Sequence, residues 1–93
     1  MTYKIILEPQ AIEDLTIIKN FITKNDSQVK ATNFLNKIKK QIKILEFMPY
    51  KHRKSFYYDD EETRDLIFKG YTIVFKITTS TIYILTIFRQ RNH

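Results

Sequence analysis

The side chains best suited to chemistry in this 93-residue chain are cations, since 16 Lys and Arg stand against 10 Asp and Glu and give a formal net charge of +6. A surface of this sign favours a polyanion or an acidic protein as partner. Lys and Arg bind phosphate oxygens, and tyrosines beside them can stack on bases. The candidate target- or phosphate-binding residues all lie in the second half of the chain: Arg53, Lys54, Arg64, Lys69, Arg89 and Arg91.

The sequence gives little support for a cysteine-based, histidine-based, metal or cofactor site. The chain has no Cys, which excludes disulfides, thiolate zinc sites and Cys nucleophiles. His52 follows a lysine in a basic loop and could transfer protons near neutral pH, but both His52 and the final His93 are interpreted as surface histidines. Neither pairs with a carboxylate at helical spacing, and no Gly-rich phosphate loop is present, so we expect neither a metal nor a cofactor.

The first half of the chain predicts one strand followed by two helices. Residues 3–7 alternate as in a strand, and Pro9 suits the first turn of a helix. The first helical stripe has apolar residues three and four apart: Ala11, Ile12, Leu15, Ile18, Phe21 and Ile22. Asn25-Asp26-Ser27 offers N-cap side chains for a second helix. Its stripe is Ala31, Phe34, Leu35, Ile38, Ile42 and Leu45.

The second half predicts three strands. Arg64–Lys69 is a short strand, Gly70 permits a turn, and Tyr71–Ile77 alternates. Thr81–Phe88 is apolar on both faces and is therefore expected inside the sheet, with Ile82, Ile84 and Phe88 on one face and Tyr83, Leu85 and Ile87 on the other. The predicted fold is a single α+β domain over residues 1–93, of order β-α-α-β-β-β. In it a two-helix hairpin packs on one face of a small, mostly antiparallel sheet.

This arrangement predicts where the cations go. If Tyr71–Ile77 and Thr81–Phe88 form a hairpin, Arg64, Lys69, Arg89 and Arg91 converge at one end of the sheet. Tyr57, Tyr58 and Tyr71 are expected nearby. The lysines of the second helix are interpreted as a solvated face, and Asp59–Glu62 as a solvated loop that limits edge pairing. No apolar run approaches a membrane span and the N-terminus lacks the form of a signal peptide, so we expect a cytoplasmic protein without membrane contact.

Four segments, taken in order, resemble the RelE/ParE superfamily of bacterial toxins from type II toxin–antitoxin pairs. Residues 3–15 resemble its opening strand and first helix, and residues 34–49 its second helix and the exit from it. Residues 64–75 resemble an Arg-containing strand, a turn and a Tyr-initiated strand, and residues 82–91 a last strand with a basic terminus. The resemblance implies a toxin neutralised by a cognate antitoxin whose acidic segment folds on binding.

The resemblance leaves two activities open. RelE-like members cut mRNA on the ribosome without metal, and this activity would give catalytic roles to Arg64, Arg89 and His93. ParE-like members instead poison DNA gyrase and are not enzymes. The ending Phe88-Arg89-Gln90-Arg91 is more similar to the ParE-like ending, because ribonuclease members place His and Tyr where this chain has Arg91 and Asn92. A nucleic-acid-binding module without toxicity is the third alternative, and it rests on charge alone.

Overall fold

A computed structural model describes residues 2–89 of the chain. The elements are β1 (Lys4–Leu7), α1 (Pro9–Asn25), α2 (Gln28–Ile44), a 3-10 turn (Pro49–Lys51), β2 (Arg53–Lys54), β3 (Thr63–Phe68), β4 (Tyr71–Ile77) and β5 (Thr81–Arg89). They form one five-stranded sheet of order β1-β5-β4-β3-β2. Only the β1–β5 pair is parallel. The predicted α+β class, element order and interior position of the last strand are confirmed. The prediction missed β2, because its two residues are both cations and show no alternation of apolar and polar side chains.

The helical hairpin forms largely as its capping residues and apolar spacing predict. Pro9 opens α1, and the Ser27 hydroxyl accepts a hydrogen bond from the Lys30 backbone N–H at 3.1 Å. Two residues assigned to the buried stripe of α1 are half exposed instead, Ile12 at 55% and Phe21 at 50%. At 3.6 residues per turn they lie on either side of the line through Ala11, Leu15 and Ile18, which is the line that packs on the sheet.

The core lies between the two helices and one face of the sheet. Phe75 and Ile73 of β4 are fully buried, and Leu35 and Ile38 of α2 pack in the same cluster. Since successive strand side chains point to opposite faces, this burial fixes the register of β4 and brings its hairpin partner β5 with it. Neither helix is long and apolar enough to cross a bilayer, among the residues the structure describes.

A bulge in β5 changes which residues face the helices. Phe75 pairs with Ile84 but Val74 pairs with Thr86, so Leu85 is an extra residue. Ile87 therefore follows Ile82 and Ile84 into the core, whereas Phe88 lies on the second face of the sheet. The prediction that Phe88 shares a face with Ile82 and Ile84 is wrong for this reason.

The second face of the sheet is partly covered by the loop of residues 55–62. Ser55 N–H donates to the Thr63 carbonyl at 2.9 Å, and Phe56 N–H donates to the Asp65 carboxylate at 3.1 Å. The Tyr57 ring meets the Phe88 ring edge-on, with centroids 5.0 Å apart. The loop thus reaches from the β2 edge of the sheet to β5.

Candidate functional site

Lys69 and Arg89 lie at the same end of the sheet. Tyr71 pairs with Phe68 of β3 and with Arg89 of β5, so the Lys69–Gly70 turn is next to the end of β5. Both turn residues have positive φ, 48° at Lys69 and 84° at Gly70, as two-residue type I′ hairpin turns require. Lys69 and Arg89 are exposed, so this part of the predicted cation cluster is placed as expected.

A cleft of about 300 Å³ opens beside Arg89, between α1 and β5. We call it the α1–β5 cleft, and its walls include Ile17, Phe21, Tyr71, Phe88, Asp14 and Arg89. Ile17 and Phe21 are 56% and 50% exposed. An apolar wall next to an exposed arginine suits a protein partner that offers an apolar side chain beside an acidic group. The sequence signal for this cleft was the pair of large apolar residues that lie off the buried line of α1.

Arg64 does not join this end of the sheet. It pairs with Phe75 near the start of β3, whereas Lys69 follows the last residue of β3, about 16 Å farther along the strand direction. Its guanidinium donates to the carbonyls of Tyr50, His52 and Glu61 at 3.2, 3.0 and 3.0 Å. The predicted convergence of Arg64 with Lys69 and Arg89 is wrong, because antiparallel pairing puts the start of β3 beside the end of β4.

Arg53 and Lys54 lie with Arg64 at the opposite end, on β2. The Arg53 Nη2 atom is 3.2 Å from Oδ2 of the buried Asp65, and its guanidinium lies 3.7 Å from the Phe56 ring centroid. The Lys54 Nζ atom is 2.7 Å from Glu61 Oε1, and both side chains are well exposed. These two cations thus have carboxylate partners within the protein, and the predicted set is divided into two groups.

Of the two histidines, the structure describes only His52. Burial, and then the Lys51 cation, lower the pKa of His52 below its ordinary value. Its ring meets the Phe75 ring edge-on at 5.7 Å, as part of the core wall. Arg91 and His93 lie outside the described residues, so their predicted roles stay predictions. Among residues 2–89, no three His, Asp or Glu side chains form a group that could hold a metal ion.

The acidic residues of the 55–62 loop fold the loop on itself. Asp60 Oδ1 accepts from the Thr63 backbone N–H at 2.7 Å, and hydrogen bonding with the side chain and then the backbone of Thr63 lowers the pKa of Asp60. The hydrogen bond from Lys54 lowers the pKa of Glu61. Both carboxylates therefore stay charged at neutral pH, as the interpretation of a solvated loop requires. Tyr57 and Tyr58 are both about half exposed, and the Tyr57 ring packs edge-on against Phe88.

Sequence reasoning missed one functional candidate, Asp14 of α1. Its carboxylate lines the α1–β5 cleft and accepts hydrogen bonds from Thr86 and Ile87 of β5. The available sequence signal was an acid between the apolar positions Ala11 and Leu15 of the predicted amphipathic helix. Nothing in the sequence identified β5 as its partner, 72 residues away.

Comparisons with known proteins agree with this fold. A family model described as the ParE toxin of type II toxin–antitoxin systems, parDE, matches residues 5–93. A solved structure of the chromosomal ParDE TA system from P. aeruginosa superposes with a TM-score of 0.82 at 20% identity, covering 97% of this chain and 98% of that chain. No curated protein matches the chain. Because the family model spans nearly the whole sequence, the chain belongs to the ParE toxin family of type II toxin–antitoxin systems.

Proposed function

We propose that this ParE-family toxin arrests growth by poisoning DNA gyrase without being an enzyme itself. The observation that carries the proposal is the end of the sheet where Arg89 lines an apolar cleft and Lys69 lies in the neighbouring hairpin turn. Such a surface offers binding through charge and apolar contact.

The separation of Arg64 from Arg89 also supports a non-enzymatic role. A ribonuclease of the RelE type would use both cations on one phosphate. Their backbones lie two strands apart and about 13 Å apart along the strand direction. The Arg64 guanidinium is also engaged by three backbone carbonyls. Messenger RNA cleavage is therefore the second candidate, and it is the one that the experiment below must exclude.

We further propose that the cognate antitoxin offers an acidic segment that folds against the helical face. Two neighbouring cavities, of about 390 and 160 Å³, share Leu7 and Lys39 in their linings. Lys19 and Lys43 add charge, Leu35 and Ile42 add apolar walls, and Glu46 is the acid among the residues that line the two cavities. An amphipathic acidic segment matches this combination, which supports a distinct surface for neutralisation.

Tightly controlled expression separates the two activities. We expect DNA double-strand breaks and SOS induction with intact mRNA, and we expect purified gyrase to accumulate cleaved DNA when the toxin is added. RNA ends mapped at codon boundaries with intact DNA would overturn the gyrase proposal in favour of an mRNA interferase. Unaffected growth with a folded product would overturn both.

A further inference from the structure

The strand that carries Arg89, β5, is paired with β1 along only its first half. Leu7, the last residue of β1, pairs with Ile84, and Glu8 N–H donates to the Ile84 carbonyl at 2.9 Å. Pro9 then begins α1, which turns the chain away from the sheet. Residues 85–89 thus have β4 on one side and, within residues 2–89, no strand on the other. An unpaired strand edge leaves backbone groups that need other partners.

A helix side chain occupies the place of that missing strand. Asp14 Oδ2 accepts from the Ile87 backbone N–H at 2.9 Å and from the Thr86 hydroxyl at 2.7 Å. Its other oxygen accepts from Gln10 Nε2 at 2.9 Å, one helical turn away. Hydrogen bonds to an ionised carboxylate are stronger than neutral ones, and the two bonds from β5 lie in a part-buried site.

The hydrogen bonds that Asp14 accepts from β5 lie directly after the bulge in this strand. Leu85 is the extra residue, and the two groups that bond Asp14 follow it directly. Bulges weaken ladder pairing locally and turn side chains toward new directions. At this point the end of β5 is held by β4 on one side and by Asp14 on the other. Removing the carboxylate would leave the Ile87 N–H without its bond, a loss that falls on the segment leading to Arg89.

We infer that Asp14 is a positioning residue that replaces a neighbouring strand beside β5 and thereby holds Arg89 at the mouth of the α1–β5 cleft. Arg89 lies two residues after Ile87 and on the same face of the strand, since side chains alternate. The functional consequence rests on the proposed role of Arg89 in target binding. The structural part does not, and the two are tested separately.

Amide hydrogen exchange tests the structural part. In Asp14→Ala we expect the Ile87 amide to exchange at least tenfold faster, while the Ile82 and Ile84 amides earlier in β5 change much less. Glu13→Ala is the matched control, because it removes the adjacent, exposed carboxylate of the same helix. A uniform acceleration of all β5 amides, or unchanged exchange at Ile87, would overturn the inference. If Asp14→Ala does not fold, Asp14→Asn tests the same bond, because it replaces the charged acceptor of the Ile87 N–H with a neutral one. Faster exchange at Ile87 is again expected, and unchanged exchange there would overturn the inference.

Growth arrest tests the consequence for Arg89. We expect Asp14→Ala to lose arrest while still unfolding cooperatively, Asp14→Asn to recover part of it through its remaining acceptor oxygen, and Glu13→Ala to keep all of it. Thr86→Val should add little to Asp14→Ala, because the carboxylate that the Thr86 hydroxyl bonds is already absent. Full arrest by a folded Asp14→Ala would overturn the positioning role. If the unmodified protein does not arrest growth, the toxicity proposal fails, and the exchange pattern decides the inference about Asp14 alone.

Discussion

Arg53 and Asp65 form an ion pair in which the carboxylate is fully buried and the guanidinium is one-third exposed, with 3.2 Å between Nη2 and Oδ2. The same carboxylate oxygen accepts from the Phe56 backbone N–H, so one buried acid holds both β2 and the loop that crosses the second face of the sheet. The charge of Asp65 needs these donors, because an uncompensated carboxylate away from water is costly.

Removing Arg53 should therefore destabilise the fold. We expect Arg53→Ala to lower the free energy of unfolding by about 2–4 kcal/mol, because it leaves the buried Asp65 carboxylate without its cation. Lys54→Ala is the matched control on the neighbouring residue. Its pair with Glu61 is solvent-exposed, and the expected loss is below about 1 kcal/mol. Urea unfolding of the two variants measures the difference, and equal losses would show that the Arg53–Asp65 pair contributes no more than a surface pair.

His52 should make the stability of the fold fall in mildly acidic solution. Burial and Lys51 lower its pKa in the folded protein. The unfolded state therefore binds a proton at a higher pH than the folded state, and stability rises with pH between the two values. The contribution is complete above the unfolded-state value of about 6.5 and is lost as the pH falls through the folded-state value.

Two measurements check this pH dependence. An NMR titration should give a midpoint for His52 below 6.5, its ordinary value. In urea unfolding, the difference in stability between the unmodified protein and His52→Gln should shrink or reverse as the pH falls from 7.5 toward 5. A difference that does not vary with pH over this range would contradict the assigned cause.

Arg89 and Arg64 should fail in different ways when replaced. Arg89 is exposed at the end of β5, so we expect Arg89→Ala to abolish growth arrest and gyrase-dependent DNA cleavage while unfolding at nearly the original urea concentration. Arg64→Ala removes three hydrogen bonds to backbone carbonyls and should cost about 2 kcal/mol of stability. Lys76→Ala, an exposed cation elsewhere on β4, is the control for loss of charge alone. The sequence also predicts loss of arrest for Arg91→Ala.

Sequence patterns predicted the elements better than the site, and Leu85 shows why. Period and turn residues fixed the helices, the β4–β5 hairpin and the position of Lys69 beside Arg89. A bulge has no sequence periodicity of its own. The sequence therefore could not show that Ile87, and not Phe88, faces the core. Arg64 was misplaced because proximity along the chain says nothing about which end of an antiparallel strand a residue occupies. Asp14 was missed because its partners depend on where β1 stops.

Replacing Lys69 in the Lys69–Gly70 turn by glycine should raise stability and weaken function. Lys69 adopts φ 48°, a conformation that costs a residue with a side chain about 1 kcal/mol but costs glycine little. We expect Lys69→Gly to gain up to about 1 kcal/mol in urea unfolding and to weaken growth arrest, since the cation is lost.

Two further variants at the same turn separate the backbone from the charge. Lys69→Ala keeps the strained backbone and loses the cation, so it should weaken arrest as much as Lys69→Gly without the gain in stability. Gly70→Ala adds a Cβ with no atom within 4 Å, so any loss of stability reports the φ of 84° alone. Full arrest by both Lys69 variants would remove Lys69 from the target-binding surface and leave Arg89 as its one described cation. The strained lysine would then have no functional explanation, because glycine would fit the turn better.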